Sequence, residues 1–232
     1  IRVLNRNRIR YNIIPKIKER TFIMDLKKYP NVTLLNHPLL THKISLLRDV
    51  HTGTNEFRRL VKEIAVREGY EALRALPTEP VEIQTPVEKT TVQMISGKKL
   101  CFVPILRAGL GMVDGRLELV PSAKVGHLGR YRDESTHKPV EYYCKLPYSL
   151  EEREIYVLDP RFATGGSAID AMERLIKHGA KRENLHFICI IAAPEGVEAF
   201  EKVYPDIPVF IGNLDRCLND HAYICPGLGD AG

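Results

Sequence analysis

The chain has 232 residues, of which 44% are hydrophobic and 27% are charged. This composition suffices for one large globular domain with small appendages around a single main core. No run approaches the roughly 18 to 20 apolar residues that cross a bilayer, and the N-terminus lacks the apolar core of a secretory signal. We therefore expect a cytoplasmic protein that is neither membrane-spanning nor recognisably secreted.

The positive charge is concentrated near the N-terminus. The net charge is +5, yet residues 1–30 carry nine Lys and Arg against Glu19 and Asp25, which leaves the remainder slightly acidic. We predict a basic N-terminal arm over residues 1–30 and a globular domain over residues 31–232. The arm is either a solvated or partner-docked extension or a nucleic-acid contact. Its scarcity of aromatic residues favours the first.

The five cysteines are odd in number and show no spacing typical of a zinc site or a redox pair. They are Cys101, Cys144, Cys189, Cys217 and Cys225. Cys101 and Cys189 lie inside apolar runs, where a cysteine is typically a small buried hydrophobe. We expect a reducing compartment and assign the thiols no chemistry.

The first half of the domain predicts a long helix and a hairpin. Thr54 or Asn55 can cap a helix that runs to about Leu76, where Pro77 ends it. The alternating, polar-rich stretch over residues 81–93 predicts an edge strand or a hairpin.

From Leu100 onward, short apolar runs alternate with helical periods. We predict strands over residues 100–106, 155–158, 185–193 and 207–211, and helices over residues 167–178 and 195–204. This alternation indicates an α/β fold with a mostly parallel sheet flanked by helices on both faces. Residues 126–147 mix polar and aromatic side chains around a turn, which predicts a protruding hairpin that serves as a flap over a site or as a dimer arm.

The loop over residues 159–167, with the sequence DPRFATGGS, follows one predicted strand and precedes a helix. Ligands of open parallel sheets bind beyond the carboxyl ends of the strands, and amides at a helix start can surround a phosphate. Asp159 can accept hydrogen bonds from ribose hydroxyls. TGGS alone is more typical of an ordinary helix-capping turn. The acid before it and the helix after it favour a sugar-phosphate site.

The segments VLDP and ATGGS in this loop resemble the loop that binds phosphoribosyl pyrophosphate (PRPP) in phosphoribosyltransferases. Pro160, where many relatives carry a second acid, is similar to the uracil branch of that family. Residues 103–110 (VPILRAGL), 192–197 (AAPEGV) and 223–232 (YICPGLGDAG) agree with it in order and spacing. The resemblance covers about residues 36–232 and implies the type I phosphoribosyltransferase fold, with a hairpin arm and a C-terminal hood that binds the base.

The resemblance implies a role for each matched residue. Arg107 and Arg132 would bind pyrophosphate, since guanidinium groups offer fixed, charged donors to phosphate oxygens. Arg107, Asp159 and Asp230 would be catalytic. Without the resemblance, Arg107 could equally cap a helix, and Arg132 is more typical of a solvated hairpin. The PRPP-binding loop would comprise Asp159, Pro160, Arg161, Phe162, Ala163, Thr164, Gly165, Gly166 and Ser167.

The C-terminal segment is locally typical of an irregular, turn-rich tail. The resemblance instead implies a pyrimidine pocket formed mainly by the main chain of Ile224, Gly229, Asp230 and Ala231, with Asp230 also beside the ribose and pyrophosphate. A pocket that pairs with one base edge rejects bases whose donors and acceptors are ordered differently, because buried groups would then stay unpaired.

The implied reaction is displacement at the anomeric carbon of PRPP by N1 of uracil, with pyrophosphate leaving together with Mg²⁺. The Mg²⁺ would arrive on the substrate, with no direct protein ligand. The resemblance further implies a homodimer or homotetramer. It leaves activation by GTP open, and neither a membrane nor a nucleic acid is an expected partner.

The sequence departs from the family at a few positions. Arg161 and Phe162 stand where Met and Leu are usual, which predicts a cation and a ring beside the ribose phosphate, with Arg161 either binding phosphate or pointing to solvent. Asp220 replaces a usual Glu and Ala222 a usual Gly. The family pattern continues past the counterpart of Gly232, so we expect less backing behind the pocket.

Two other functions stay open from the sequence alone. Some relatives with this fold regulate pyrimidine genes by binding RNA, and the basic arm invites that function. The other alternative is an inactive paralogue that acts as a scaffold. The two matched arginines and the uracil-type tail favour catalysis.

Overall fold

The computed structural model of the chain describes residues 25–96, 99–132 and 139–229, without the side chains of residues 130–132 and 139–142. Asp230, Ala231 and most of the basic arm lie outside the described residues. Leu26 and Tyr29, from the end of the arm, pack against the hydrophobic core. Among the described residues, none of the helices has the length and apolar composition needed to cross a membrane.

One large sheet forms the centre of the fold. Its strands follow the order β1, β11, β10, β8, β4, β6, β7, and all neighbours are parallel except β6 and β7. The short strands β5 and β9 pair with β4 and β10. The strands are β1 Val32–Leu34, β2 Thr78–Gln84, β3 Lys89–Ile95, β4 Lys99–Leu106, β5 Lys124–Val125, β6 His127–Arg132, β7 Pro139–Lys145, β8 Arg153–Leu158, β9 Arg161–Phe162, β10 Leu185–Ala192, β11 Val209–Leu214, β12 Cys217–Leu218 and β13 Ile224–Cys225.

Helices cover both faces of this sheet, as the sequence predicts. They are α1 Pro38–Leu47, α2 Thr54–Ala72, α3 Leu110–Leu119, α4 Gly166–Lys177 and α5 Pro194–Glu201, with short 3-10 turns at Leu26–Lys28, Leu150–Glu152 and Arg182–Asn184. One core cluster includes the apolar sides of α4 and α5, and another those of α1, α2 and α3. The second helix ends at Ala72, before the predicted Leu76, because the chain leaves the helical conformation at Leu73.

The carboxyl ends of the parallel strands lie at one edge of the sheet. Arg107 follows β4, Asp159 follows β8, and Asp215 follows β11. The register aligns these ends, since Val103 lies opposite Val157 and Phe187 opposite both Val157 and Val209. Polar residues that are far apart in sequence therefore meet beyond the same edge.

Two hairpins differ in how they join the body. The predicted hairpin over residues 126–147 is formed by β6 and β7, and it extends the main sheet because Leu128 pairs with Ile105 of β4. The tip of this hairpin lies outside the described residues. Strands β2 and β3, by contrast, form a separate two-stranded sheet in which only Val81 and Val92 are partly buried.

A buried ion pair lies between the helices behind the sheet. Glu68 of α2 and Arg116 of α3 are both fully buried, with 3.3 Å between their charged groups, and Arg116 also donates to the Ala65 carbonyl. Burial raises the pKa of Glu68 to about 8, against the opposing attraction of Arg116. The ionised carboxylate is therefore costly in this environment.

Candidate active site

The loop over residues 159–167 lies between the buried strand β8 and helix α4, where the sequence predicts it. Main-chain hydrogen bonds tie it to neighbouring segments: Ile191 donates to the Pro160 carbonyl at 3.1 Å and Ala193 to the Phe162 carbonyl at 2.9 Å. The Asp159 carboxylate accepts from the Arg161 amide at 3.2 Å. The first amides of any helix lack an intrahelical acceptor, so the start of α4 favours an anion.

Gly165 allows the loop to enter the helix. Its φ of 82° lies in the left-handed region, and a Cβ at this position would meet the Gly196 carbonyl at 2.8 Å. Gly196 lies at the start of α5 and approaches the loop equally closely, since its own Cβ would meet the Ala163 carbonyl at 2.4 Å. Both contacts require the absence of a side chain, so the loop is fixed against α5.

The prediction that the Phe162 ring lies beside the ribose phosphate is wrong. This side chain is 2% exposed and packs in the core against Phe187 and Phe200, with ring centroids 4.7 and 5.8 Å apart. The reason is the pairing of β9 with β10, since successive residues of a strand point to opposite sides. Phe162 lines the cavity, but its ring is part of the core.

Arg161 points the other way and adopts an arrangement that the sequence did not suggest. Its Nη1 donates to the carbonyl of Gly229 at 3.3 Å, so that it links the loop to the C-terminal segment. From the sequence alone, this side chain either binds phosphate or points to solvent.

The C-terminal segment folds into a small ribbon against α5. Strands β12 and β13 pair antiparallel, and the Asn219 side chain accepts from the amides of His221 and Tyr223 at 3.0 and 2.9 Å. The Glu195 carboxylate accepts from the Leu218 amide at 2.9 Å. Ala222, at the position of a usual Gly, has a φ of 59° in the left-handed region.

The loop and this segment enclose a cavity of about 500 Å³. The loop contributes Asp159, Thr164 and Ser167, while the C-terminal segment contributes Ile224 and Gly229. The structure therefore brings together the two predicted halves of the site. The remaining lining residues are Arg161, Phe162, Ala163, Gly165, Ala168, Asn219, His221, Ala222, Tyr223, Cys225, Pro226 and Leu228.

Arg107 lines an adjoining cavity of about 790 Å³, together with Arg48 and Arg58. Leu228 and Gly229 line both cavities, and Pro160 of the loop also lines the cavity at Arg107, so the two cavities adjoin at the loop and the C-terminal segment. Because Arg48 is paired with Asp215, Arg58 and Arg107 against Asp49 leave this second cavity with a net positive charge, which suits a polyphosphate.

Several predicted site residues are not placed by the structure. Asp230 and Ala231 lie outside the described residues, and of Arg132 only the main chain, in β6, is described. Sequence reasoning missed Arg48, which contacts Asp215 at the end of β11. One signal could have pointed to Asp215, because it is an acid directly after an apolar strand, as Asp159 is.

A metal ion at this cavity would meet the carboxylate of Asp159. Within the described ranges, no three His, Cys, Asp or Glu side chains gather into a group that could hold a metal ion. Asp159 is the carboxylate that the loop contributes to the cavity. A single carboxylate fits the few protein contacts that Mg²⁺ needs when it travels on phosphates.

Solved structures share this arrangement of strands and helices. The AQ2163 protein from Aquifex aeolicus matches with a TM-score of 0.80 and 38% identity, over 86% of this chain and 94% of its own. An adenine phosphoribosyl transferase from Trypanosoma brucei matches in fold alone, with a TM-score of 0.54 and 12% identity over 87% and 89% of the two chains. The fold is that of the type I phosphoribosyltransferases, as predicted.

Sequence comparison narrows the class further. Residues 34–232 match the family model described as uracil phosphoribosyltransferase. A uracil phosphoribosyltransferase of Clostridium novyi is 55% identical over 201 residues, which are 87% of this chain and 95% of that protein. One from Lactococcus lactis subsp. lactis is 58% identical over 199 residues, which are 86% and 94% of the two chains. The chain belongs to the uracil phosphoribosyltransferase family.

Proposed function

We propose that this chain transfers the phosphoribosyl group of PRPP to N1 of uracil and so forms UMP and pyrophosphate. The observation that carries this proposal is the cavity between the loop over residues 159–167 and the segment over residues 224–229. Its volume of about 500 Å³ is within the usual range for small-ligand sites. Family membership supports the same reaction.

The loop would hold the sugar phosphate. Thr164 and Ser167 line the cavity and carry hydroxyl groups, and the amides at the start of α4 would bind the 5′-phosphate. Asp159, at the end of β8, would accept hydrogen bonds from the ribose hydroxyls. These contacts fix the anomeric carbon, so that much of the rate would come from positioning.

The C-terminal segment would recognise the base. Ile224 and Gly229 line the cavity, and their main-chain groups can match the alternating donors and acceptors of uracil without an ionisable side chain. As the bond from N1 to C1′ forms, the bond from C1′ to the pyrophosphate oxygen breaks and N1 loses its proton. Asp230 and Ala231 stay predicted members of this half.

Arg107 would stabilise the departing pyrophosphate, because it lines the adjoining, positively charged cavity. Arg132 stays a predicted second ligand. Mg²⁺ would enter with PRPP and neutralise charge on the leaving group. Asp159 is the carboxylate that the loop could offer to such an ion, and we assign the metal no resident site.

We propose further that the protein acts as a homodimer or larger homo-oligomer in the cytoplasm. The separate hairpin of β2 and β3 supports an oligomer, because an isolated two-stranded hairpin is marginally stable in water. All five cysteines are free, as is typical of a reducing compartment. Activation by GTP stays open, and an assay with and without GTP tests it.

A base-selectivity assay tests the proposed reaction. The purified chain is given PRPP and Mg²⁺ with uracil, cytosine, hypoxanthine or orotate, and the nucleotide product is quantified. We expect UMP from uracil and rates at least about a hundredfold lower with the other bases. An Asp159→Asn sample prepared identically excludes a contaminating enzyme. No turnover with uracil, together with tight, salt-sensitive RNA binding, would favour the regulatory function instead.

A further inference from the structure

Arg48 and Asp215 form a two-point ion pair next to the site. Arg48 caps the end of α1, and Asp215 directly follows β11. The two guanidinium nitrogens of Arg48 lie 2.5 and 2.9 Å from the two carboxylate oxygens of Asp215. The Asp215 side chain is 2% exposed and that of Arg48 is 18% exposed, so water screens the pair weakly.

Both members of this pair hold the main chain of Gly227. The Gly227 amide donates to Asp215 at 2.9 Å, and its carbonyl accepts from Arg48 at 3.1 Å. Gly227 has a φ of 72°, and a Cβ at this position would meet the Ile224 carbonyl at 2.2 Å. The pair thus fixes a sharp turn that only glycine can form.

The turn leads directly into the part of the chain that separates the two cavities. Leu228 and Gly229, the next two residues, line the cavity at the loop and the cavity at Arg107. Asn213 adds a third side chain to the network by donating to Asp215 at 2.7 Å. Each carboxylate oxygen of Asp215 therefore accepts two hydrogen bonds, and a buried charge requires such partners.

We propose that Arg48 and Asp215 are positioning residues that set the turn at Gly227 and thereby place Gly229, whose main chain would recognise the base. This inference rests on the proposed function for its kinetic consequence. Neither residue needs to touch uracil, because both act through Gly227. Lysine at position 48 would keep the charge but could not hold both carboxylate oxygens and the carbonyl at once.

Steady-state kinetics of Arg48→Lys and Asp215→Asn test the proposal. We expect the KM for uracil to rise about tenfold in each variant, while the KM for PRPP stays within about twofold. Arg182→Lys is the matched control, because Arg182 likewise pairs with a carboxylate, that of Asp206, and donates to a carbonyl, that of Val203. Its pair is largely exposed, and the KM for uracil should not change.

Hydrogen exchange followed by mass spectrometry gives a readout that needs no turnover. In Arg48→Lys, peptides that cover residues 216–229 should exchange about tenfold faster, while peptides that cover residues 159–167 should not change. This result would hold even if the wild type made no UMP, so failure of the proposed function and failure of the positioning role are distinguishable.

Three results would overturn the proposal. A rise in the KM for PRPP as large as that for uracil would make Arg48 a phosphate ligand. Unchanged exchange over residues 216–229 would show that the pair does not hold the turn. Unfolding of both variants, with a folded Arg182→Lys, would make the pair a general requirement of the core.

Discussion

The two halves of the candidate site are held in different ways. Main-chain hydrogen bonds join the loop over residues 159–167 to β10 and its end, and close contacts fix it to α5. Side chains contribute more to holding the segment over residues 224–229, since Arg48 and Asp215 bind Gly227 and Arg161 binds Gly229. Glu195 holds the neighbouring strand β12 through the Leu218 amide. The sugar-phosphate half is therefore part of the sheet, whereas the base half is attached to it.

This difference sets the expected sensitivity of each half. A side chain added at a glycine of the loop would meet main-chain atoms, which cannot move aside as the end of a flexible side chain can. A side-chain change beside the C-terminal segment removes one contact among several. We therefore expect substitutions at the loop to have larger effects on turnover than substitutions beside the base segment.

The largest effect is expected from Gly165→Ala. The added Cβ would meet the Gly196 carbonyl at 2.8 Å and force a left-handed residue with a side chain, so we expect kcat/KM to fall about a hundredfold. Gly179→Ala, at the other end of α4, is the control, because its φ is 95° but the space around it is open. It should lose about 1 kcal/mol of stability and keep its activity. Equal activity in both variants would contradict the account.

A smaller loss is expected from Asp159→Asn and from Arg107→Ala. Each should lower turnover by at least about tenfold with the fold intact, because one removes an acceptor for ribose and the other a donor to pyrophosphate. Circular dichroism and steady-state assays provide the two measurements. Arg59→Ala, on the exposed side of α2, should stay at the wild-type rate. Near-normal rates in both site variants would refute these assignments.

A loss of a few-fold is expected from Glu195→Ala. This change removes the acceptor of the Leu218 amide, 2.9 Å away, and loosens the ribbon of β12 and β13. The KM for uracil should rise about three- to fivefold, with the KM for PRPP unchanged. Glu198→Ala, one turn later on α5, serves as the control. A change in the KM for PRPP instead of the KM for uracil would contradict the distinction between the two halves of the site.

Ala222→Gly should barely affect catalysis. Its φ of 59° is costly for alanine, so we expect glycine to stabilise the protein by about 0.5 to 1 kcal/mol. Both KM values should remain within about twofold of the wild type. Thermal unfolding measures the change, and a lower melting temperature would show that the turn is not strained.

Glu68→Gln should leave both halves unchanged and alter only how stability depends on pH. Burial raises the folded-state pKa of Glu68 from 4.5 to about 8. Its contribution to stability is therefore fully present below about pH 4.5 and is lost as the pH rises towards 8. The free energy of unfolding should fall less with pH in the variant than in the wild type across this window. Parallel urea titrations at pH 5, 6.5 and 8 measure this free energy. An identical dependence of the unfolding free energy on pH in the two proteins would contradict the prediction.

The loop could be predicted from the sequence because its signals are local. An apolar strand, Asp159, the glycines and a helix follow one another without interruption, and the structure confirms their arrangement. The parallel sheet could be predicted for the same reason, since each buried strand is a short apolar run.

The contacts of the base half could not be predicted in this way. Arg48 and Asp215 are 167 positions apart, and neither has a local pattern that names its partner. The error at Phe162 has a related cause, because only the pairing of β9 with β10 decides which side of the loop faces the core. Arg107 and Asp159, which the sequence predicts in one site, line two cavities that share Leu228 and Gly229.

A crystal structure of the full chain with UMP tests the two-part site most directly. We predict the 5′-phosphate within hydrogen-bond reach of the Thr164 and Ser167 hydroxyls and the amides between them. We predict the uracil ring against the main chain of Ile224 and Gly229, in the cavity at the loop. A phosphate bound away from the start of α4, or a base lying in the cavity at Arg107, would contradict the two-part site.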